Sequence, residues 1–120
     1  MVTADDVRTY ALALPETEEK LAWGAPTFRV RGKIFAALAD DDASMGFKCP
    51  KEDRQELIAA EPEKFFLTPG HDDSYAWLRA RLGALDDAAE LRSILADAWR
   101  LAAPRKLADA CPEPWEEEAC

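Results

Sequence analysis

Little in this chain points to catalysis or to a metal. It has one histidine, His71, and three cysteines, Cys49, Cys111 and Cys120, with no CxxC pair among them. One histidine with scattered cysteines cannot complete a zinc site, and an odd, widely spaced set argues for reduced thiols rather than a disulfide framework. The five glycines are isolated, so no glycine-rich phosphate loop is present. The acid runs at Asp40 to Asp42, Asp72 to Asp73 and Glu116 to Glu118 lack the ligand spacing of a calcium loop and read as solvated turns. No apolar run reaches the roughly 18 residues of a membrane span, and "MVTADDVRTYALALPE" has acids where a signal peptide carries bases. These absences predict a cytoplasmic chain with no membrane contact, no cofactor and no metal.

What is present suits one domain. At 120 residues the chain can bury roughly two thirds of its unfolded surface without metal or disulfide help. Its formal net charge is -9, but unevenly spread. Residues 1–20 hold two bases against five acids, and residues 112–120 no base against four acids, so the ends carry seven of the nine negative charges. The body is nearly neutral. With two prolines and four acids, "PEPWEEEAC" reads as a flexible acidic tail at 112–120 behind a single α+β domain at 1–111.

Hydrophobic spacing sets the elements. Thr3 is a plausible N-cap, and Val7, Tyr10, Ala11 and Leu14 make one apolar helical stripe before Pro15. "PETEEKLAWGAP" reads as a polar connection, after which Phe28 and Val30 alternate with Thr27, Arg29 and Arg31 as a half-buried strand. A three-residue loop, Arg31-Gly32-Lys33, would pair Val30 with Ile34 and Phe28 with Ala36, keeping aliphatic partners on one face. "ASMGFKCP" gives a third strand with Met45 and Phe47 inward and Lys48 outward, and Pro50 can start the next helix. "KFFLTPG" is a short strand or an extended connection. In "SYAWLRARLGAL", Ala76, Leu78, Ala80 and Leu82 take one face and Tyr75, Trp77, Arg79 and Arg81 the other. Asp86 is the expected cap of a helix that buries Leu91, Ile94, Leu95, Ala98 and Ala102. These expected strands contain no acid. The order α-β-β-β-α-β-β-α predicts a two-layer α+β sandwich, its antiparallel sheet covered by helices on one face.

Several of these stretches also carry a family resemblance. "LPETEEKLAWGAPTFRVRGKIFA", "GFKCP" before a helix, "AWLRARL" and "DDAAELRSILADAWRLAAPRKL" resemble the MmcQ/YjbR family of small bacterial proteins over about residues 3–110. Trp23-Gly24, Phe28, Gly32-Lys33, the Lys48 strand and the late tryptophan, Trp99, carry the likeness. The resemblance implies a fold like that of type III secretion chaperones, also described as CyaY-like, and a DNA-binding role. It brings no catalytic residues. The acidic tail after Pro112 departs from the pattern and works against nucleic-acid affinity.

Three cations without an acid in "FRVRGKIFAAL" stand out in so acidic a chain. With the strand parities above, the open sheet face displays Arg29, Phe35, Lys48, Tyr75, Trp77, Arg79 and Arg81, with Arg31 and Lys33 at the hairpin tip. Such a face can hold phosphates on its cations while its rings stack on unpaired bases. Its plainer reading is a solvated face, where Arg and Lys stems cover apolar surface with their heads in water. DNA or another polyanion is the first expected partner. A protein or peptide, bound by strand addition at a sheet edge in the manner of an adaptor, is the second. The chain is expected to be a monomer.

Catalytic signals are thin by comparison. His71 sits in "TPGHDDSY", where Asp72 or Asp73 can orient it as a base, but its favoured reading is a surface-turn histidine. Cys49 precedes a helix start, where the macrodipole can favour a thiolate, but its favoured reading is a small half-buried residue at a strand end. With no nucleophile and base in one motif, the chain is not expected to be an enzyme. Trp23 and Trp99 read as packing residues.

Overall fold

A computed structural model describes residues 2–22, 24–39, 42–68 and 76–111. Helix α1 (Ala4–Leu12) leads into four strands, β1 (Thr17–Ala22), β2 (Ala25–Val30), β3 (Lys33–Leu38) and β4 (Ser44–Lys48). Helix α2 (Lys51–Ala60) follows, then β5 (Phe65–Phe66), β6 (Trp77–Arg81), a short 3-10 turn, α3 (Ala88–Ala102) and α4 (Arg105–Ala110). The six strands form one antiparallel sheet in the order β1-β2-β3-β4-β6-β5. The fold is α+β, as the pattern of elements predicts. No helix among the described residues is long and apolar enough to cross a membrane.

One face of the sheet makes the core. Phe28, Ala36, Leu38, Met45, Phe47, Leu78 and Ala80 are buried there with Leu91, Leu95, Ala98 and Trp99 of α3 and Val7 and Ala11 of α1. Thr3 caps α1 in a capping box with Asp6. The Trp99 indole is fully buried and donates from Nε1 to the Pro15 carbonyl at 3.0 Å, fixing α3 to the chain between α1 and β1. A buried indole N–H without such an acceptor would be destabilising. The N-cap of α3 is Asp87, which accepts from the Glu90 amide, rather than Asp86 one residue earlier. Glu90 reaches back to accept from the Asp86 amide, so both acids serve the same helix start.

The first correction concerns β1. The stretch read as a polar connection is a strand, and it carries Glu18 and Glu19, so strands are not free of acids. It escapes a search for alternation because it is an edge strand that buries none of its residues and leaves Leu21 74% exposed. Charged residues on an edge discourage pairing with another chain.

The second correction is the hairpin. Its loop has two residues, Arg31 and Gly32, both at positive φ (47° and 82°), so Val30 pairs with Lys33. Positive φ at both central positions marks the turn that matches strand twist. The resulting mismatch is absorbed by a β-bulge: Arg29 pairs with Ile34 and Phe28 with Ala36, and Phe35 is the extra residue. Phe28 and Ala36 therefore meet as expected. Phe35 does not stand on the open face; it is 0% exposed and belongs to the core.

Cysteine status differs from expectation at one position. Cys49 is free and buried, whereas Cys111 is disulfide-bonded.

Candidate nucleic-acid interface

Directly paired residues of an antiparallel sheet share a face, so the register decides which side chains can act together. Lys20, Thr27, Ala37, Gly46, Arg79 and Phe66 form one row across all six strands on the face opposite the core. Beside it, Lys48 pairs with Trp77 and Arg29 with Glu18; on the other side, Ser44 pairs with Arg81. The strands thus bring Arg29, Lys48, Trp77, Arg79 and Arg81 to the same face, as their parity predicts. Arg81 is exposed and the other four are half-buried.

The middle of the row is built from small residues. Thr27 is buried, its Oγ1 donating to the Lys20 carbonyl at 2.6 Å and accepting from Arg29 Nε at 3.2 Å. Gly46 is buried beneath Trp77: a Cβ placed on it would collide with Nε1, Cε2 and Cζ2 of the indole. Arg54 of α2 donates to the Trp77 carbonyl at 3.1 Å and ties that helix to the start of β6. At the far edge the Arg81 guanidinium lies 4.3 Å from the centre of the Phe66 ring and donates to the Glu63 carbonyl at 3.2 Å. Phe66 is therefore a second ring on this face, supplied by β5.

Charge on the face is lopsided. Its strands contribute five cations, Lys20, Arg29, Lys48, Arg79 and Arg81, against one carboxylate, Glu18, which lies 3.5 Å from Lys20. Neither Arg29 nor Lys48 has an ion-pair partner among the described residues. Arg31 differs: Glu16 holds it through two hydrogen bonds of 2.8 and 3.0 Å. That pairing lowers the Glu16 carboxyl below its usual range and raises the arginine. Lys33 is exposed but opposite Val30, in register with the core face rather than with Lys48. The hairpin tip is thus not an extension of the cationic face.

Tyr75, His71 with its neighbours Asp72 and Asp73, and the tail at 112–120 lie outside the described residues, as does Trp23. Cys49 lies at the start of α2, yet burial and then the nearby Asp53 carboxylate push its thiol up rather than down. Cys49 is thus the small buried residue at a strand end rather than a thiolate, and its thiol donates toward the Pro50 carbonyl.

Two positions escaped the sequence reading. Gly46 had a signal, since a glycine inside a strand often marks a close approach by another group. Lys64 had none. It is 2% exposed, with its ammonium 2.5 Å from Glu61, 2.6 Å from Glu90 and 3.6 Å from Asp86. These hydrogen bonds, Glu61 first, raise its pKa and keep it charged.

A family profile, YjbR, matches residues 12–101. The chain belongs to the YjbR family. It is similar to the uncharacterised proteins Mb2600 of Mycobacterium bovis and Rv2570 of Mycobacterium tuberculosis, each 29% identical, with 92% of this chain and 95% of the relative covered. In structure the YjbR chain resembles Deinococcus radiodurans protein DR2400, a crystal structure with a DUF419 domain. That match has a TM-score of 0.71 at 19% identity and covers 99% of this chain and 86% of the other. At that identity the likeness speaks to the fold alone.

Proposed function

We propose that this YjbR protein is a cytoplasmic, non-catalytic accessory protein that binds nucleic acid, or another polyanion, on the open face of its sheet. The observation that carries the reading is the register, which gathers Arg29, Lys48, Arg79 and Arg81 around Trp77 on one face. Phosphates along a strand complement such a row of cations, and the contacts are weakened by salt through counterion uptake. With four or five contacts the slope of log affinity against log salt should be about -3 for a single strand. Affinity should be modest, because the N-terminal segment and the tail are acidic.

Fluorescence anisotropy with a labelled oligonucleotide at two salt concentrations tests this. Binding should weaken in high salt and vanish in an Arg29→Glu, Lys48→Glu double variant. Absence of binding at low salt would end the proposal. A peptide-binding adaptor rests on a different observation, the six-residue edge strand β1, whose open edge permits strand addition although its charged side chains work against it. Amide chemical-shift mapping separates the two readings. Nucleic acid should perturb β4 and β6, whereas a peptide adding a strand would perturb β1 and leave Lys48 and Arg79 unchanged.

A further inference from the structure

Charge does not tell a single strand from a duplex, but a ring beside a cation can. A duplex keeps its base faces stacked inside, and its major groove admits a helix or a two-stranded ribbon rather than the flat of a six-stranded sheet. Unpaired bases, in contrast, stack on aromatic side chains carried by sheet faces. On this sheet the ring and the cation are direct neighbours, Trp77 opposite Lys48, where paired Cβ atoms sit about 4.5–5.5 Å apart.

Gly46 explains how the ring is held there. A glycine in a strand interior loses side-chain packing and costs conformational entropy, so it usually serves a purpose. Positive φ is not that purpose, because only Gly24 and Gly32 have it among the described glycines. The space above Gly46 is taken by the Trp77 indole, and any Cβ would collide with ring atoms. Gly46 is thus the floor on which the indole rests, and Ala37 and Thr27 continue the row of small residues beyond it.

Resting on the nucleic-acid reading above, we infer that the face selects unpaired bases. One base of a single-stranded segment stacks on the Trp77 indole, an adjoining phosphate is held by Lys48, and Gly46 is the positioning residue that leaves the indole its place. Trp77 then sets the preference for single strands, and the cations set the affinity common to all polyanions.

The test compares three probes of equal length, about 12 nucleotides to match the site size of a small sheet domain. They are oligothymidylate, a duplex, and an abasic deoxyribose-phosphate chain with the charge but no bases. The wild-type protein should bind oligothymidylate about tenfold more tightly than the abasic chain, the scale of one lost stack. Trp77→Ala and Gly46→Ala should bring oligothymidylate down to the abasic level without changing abasic binding, and Trp77→Phe should recover part of the gap. Equal wild-type affinity for oligothymidylate and the abasic chain, or preference for the duplex, overturns the inference even if Gly46→Ala fails to fold. If that equality is accompanied by loss of all binding in Arg29→Glu, Lys48→Glu, the polyanion reading stands and only base stacking fails. No binding of any probe by the wild type removes both.

Discussion

Lys64 and Lys48 show two uses of the same side chain in one small domain. Lys64 is buried at the start of α3, with carboxylates of Glu61, Glu90 and Asp86 gathered around its ammonium. Lys48 lies on the open face beside Trp77, with no carboxylate assigned to it by the sheet register. Where a cation holds the fold together, this protein matches it with acids, since an unpaired buried charge is costly. On the open face, Arg29 and Lys48 stand without an ion-pair partner among the described residues. A net charge of -9 conceals this division, because three of the acids are gathered around Lys64 while strands β2, β3, β4, β5 and β6 carry none.

The largest expected effect lies on the buried side. Lys64→Ala removes the charge that reconciles three carboxylates and should cost about 3 kcal/mol, the low end for breaking a buried pair because the acids keep some contact with water. Chemical denaturation reads it directly. The pH dependence follows from the raised pKa of Lys64. Its contribution is fully present below the ordinary lysine value of about 10.4 and is lost only as pH rises through the higher folded value. Between neutral pH and about 10, the stability difference between wild type and Lys64→Ala should therefore stay flat as far as this lysine is concerned.

A smaller loss, about 1–2 kcal/mol, is expected for Trp99→Phe, which strips the Pro15 carbonyl of its indole donor. On the open face, Lys48→Ala should change stability by less than about 0.5 kcal/mol, while lowering the salt slope of oligonucleotide binding by about 1. If Lys48→Ala destabilises the fold as much as Lys64→Ala does, the contrast between matched and unmatched lysines collapses. The smallest effect belongs to Glu16 and Arg31, an exposed pair. The depressed Glu16 pKa means that its stabilisation exists above the ordinary carboxylate range and fades as pH falls through the folded value. Any advantage of wild type over Glu16→Gln should thus begin to shrink in acid unfolding as pH falls below the ordinary carboxylate range and be gone below the lowered Glu16 value.

The open face was legible because "AWLRARL" and "SMGFK" alternate cleanly, and alternation translates directly into sheet faces. The buried stripe of α3 was legible by the same logic at helical spacing. Edge strand β1 was not, because a strand exposed on both sides has no apolar rhythm to reveal it. Phe35 was misplaced because strict alternation assumes an unbroken register, and a bulge breaks it without any local warning in "GKIFAAL". Arg31 looked like part of the cationic set because its partner Glu16 lies 15 residues away in the sequence. Lys64 was invisible for the same reason on a longer scale, as Glu90 is 26 residues distant. Pattern reading finds the faces of regular elements; it does not find which charges the fold has already answered.

The bulge at Phe35 carries one more implication. Because Val30 meets Lys33, Arg29 meets Ile34 and Phe28 meets Ala36, excising Phe35 would leave an unbroken ladder with every other side chain still facing the way it does now. Such a deletion should preserve the strand order while emptying a phenyl-sized volume from the interior. Phe35 is thus an insertion that the topology can do without and the core cannot.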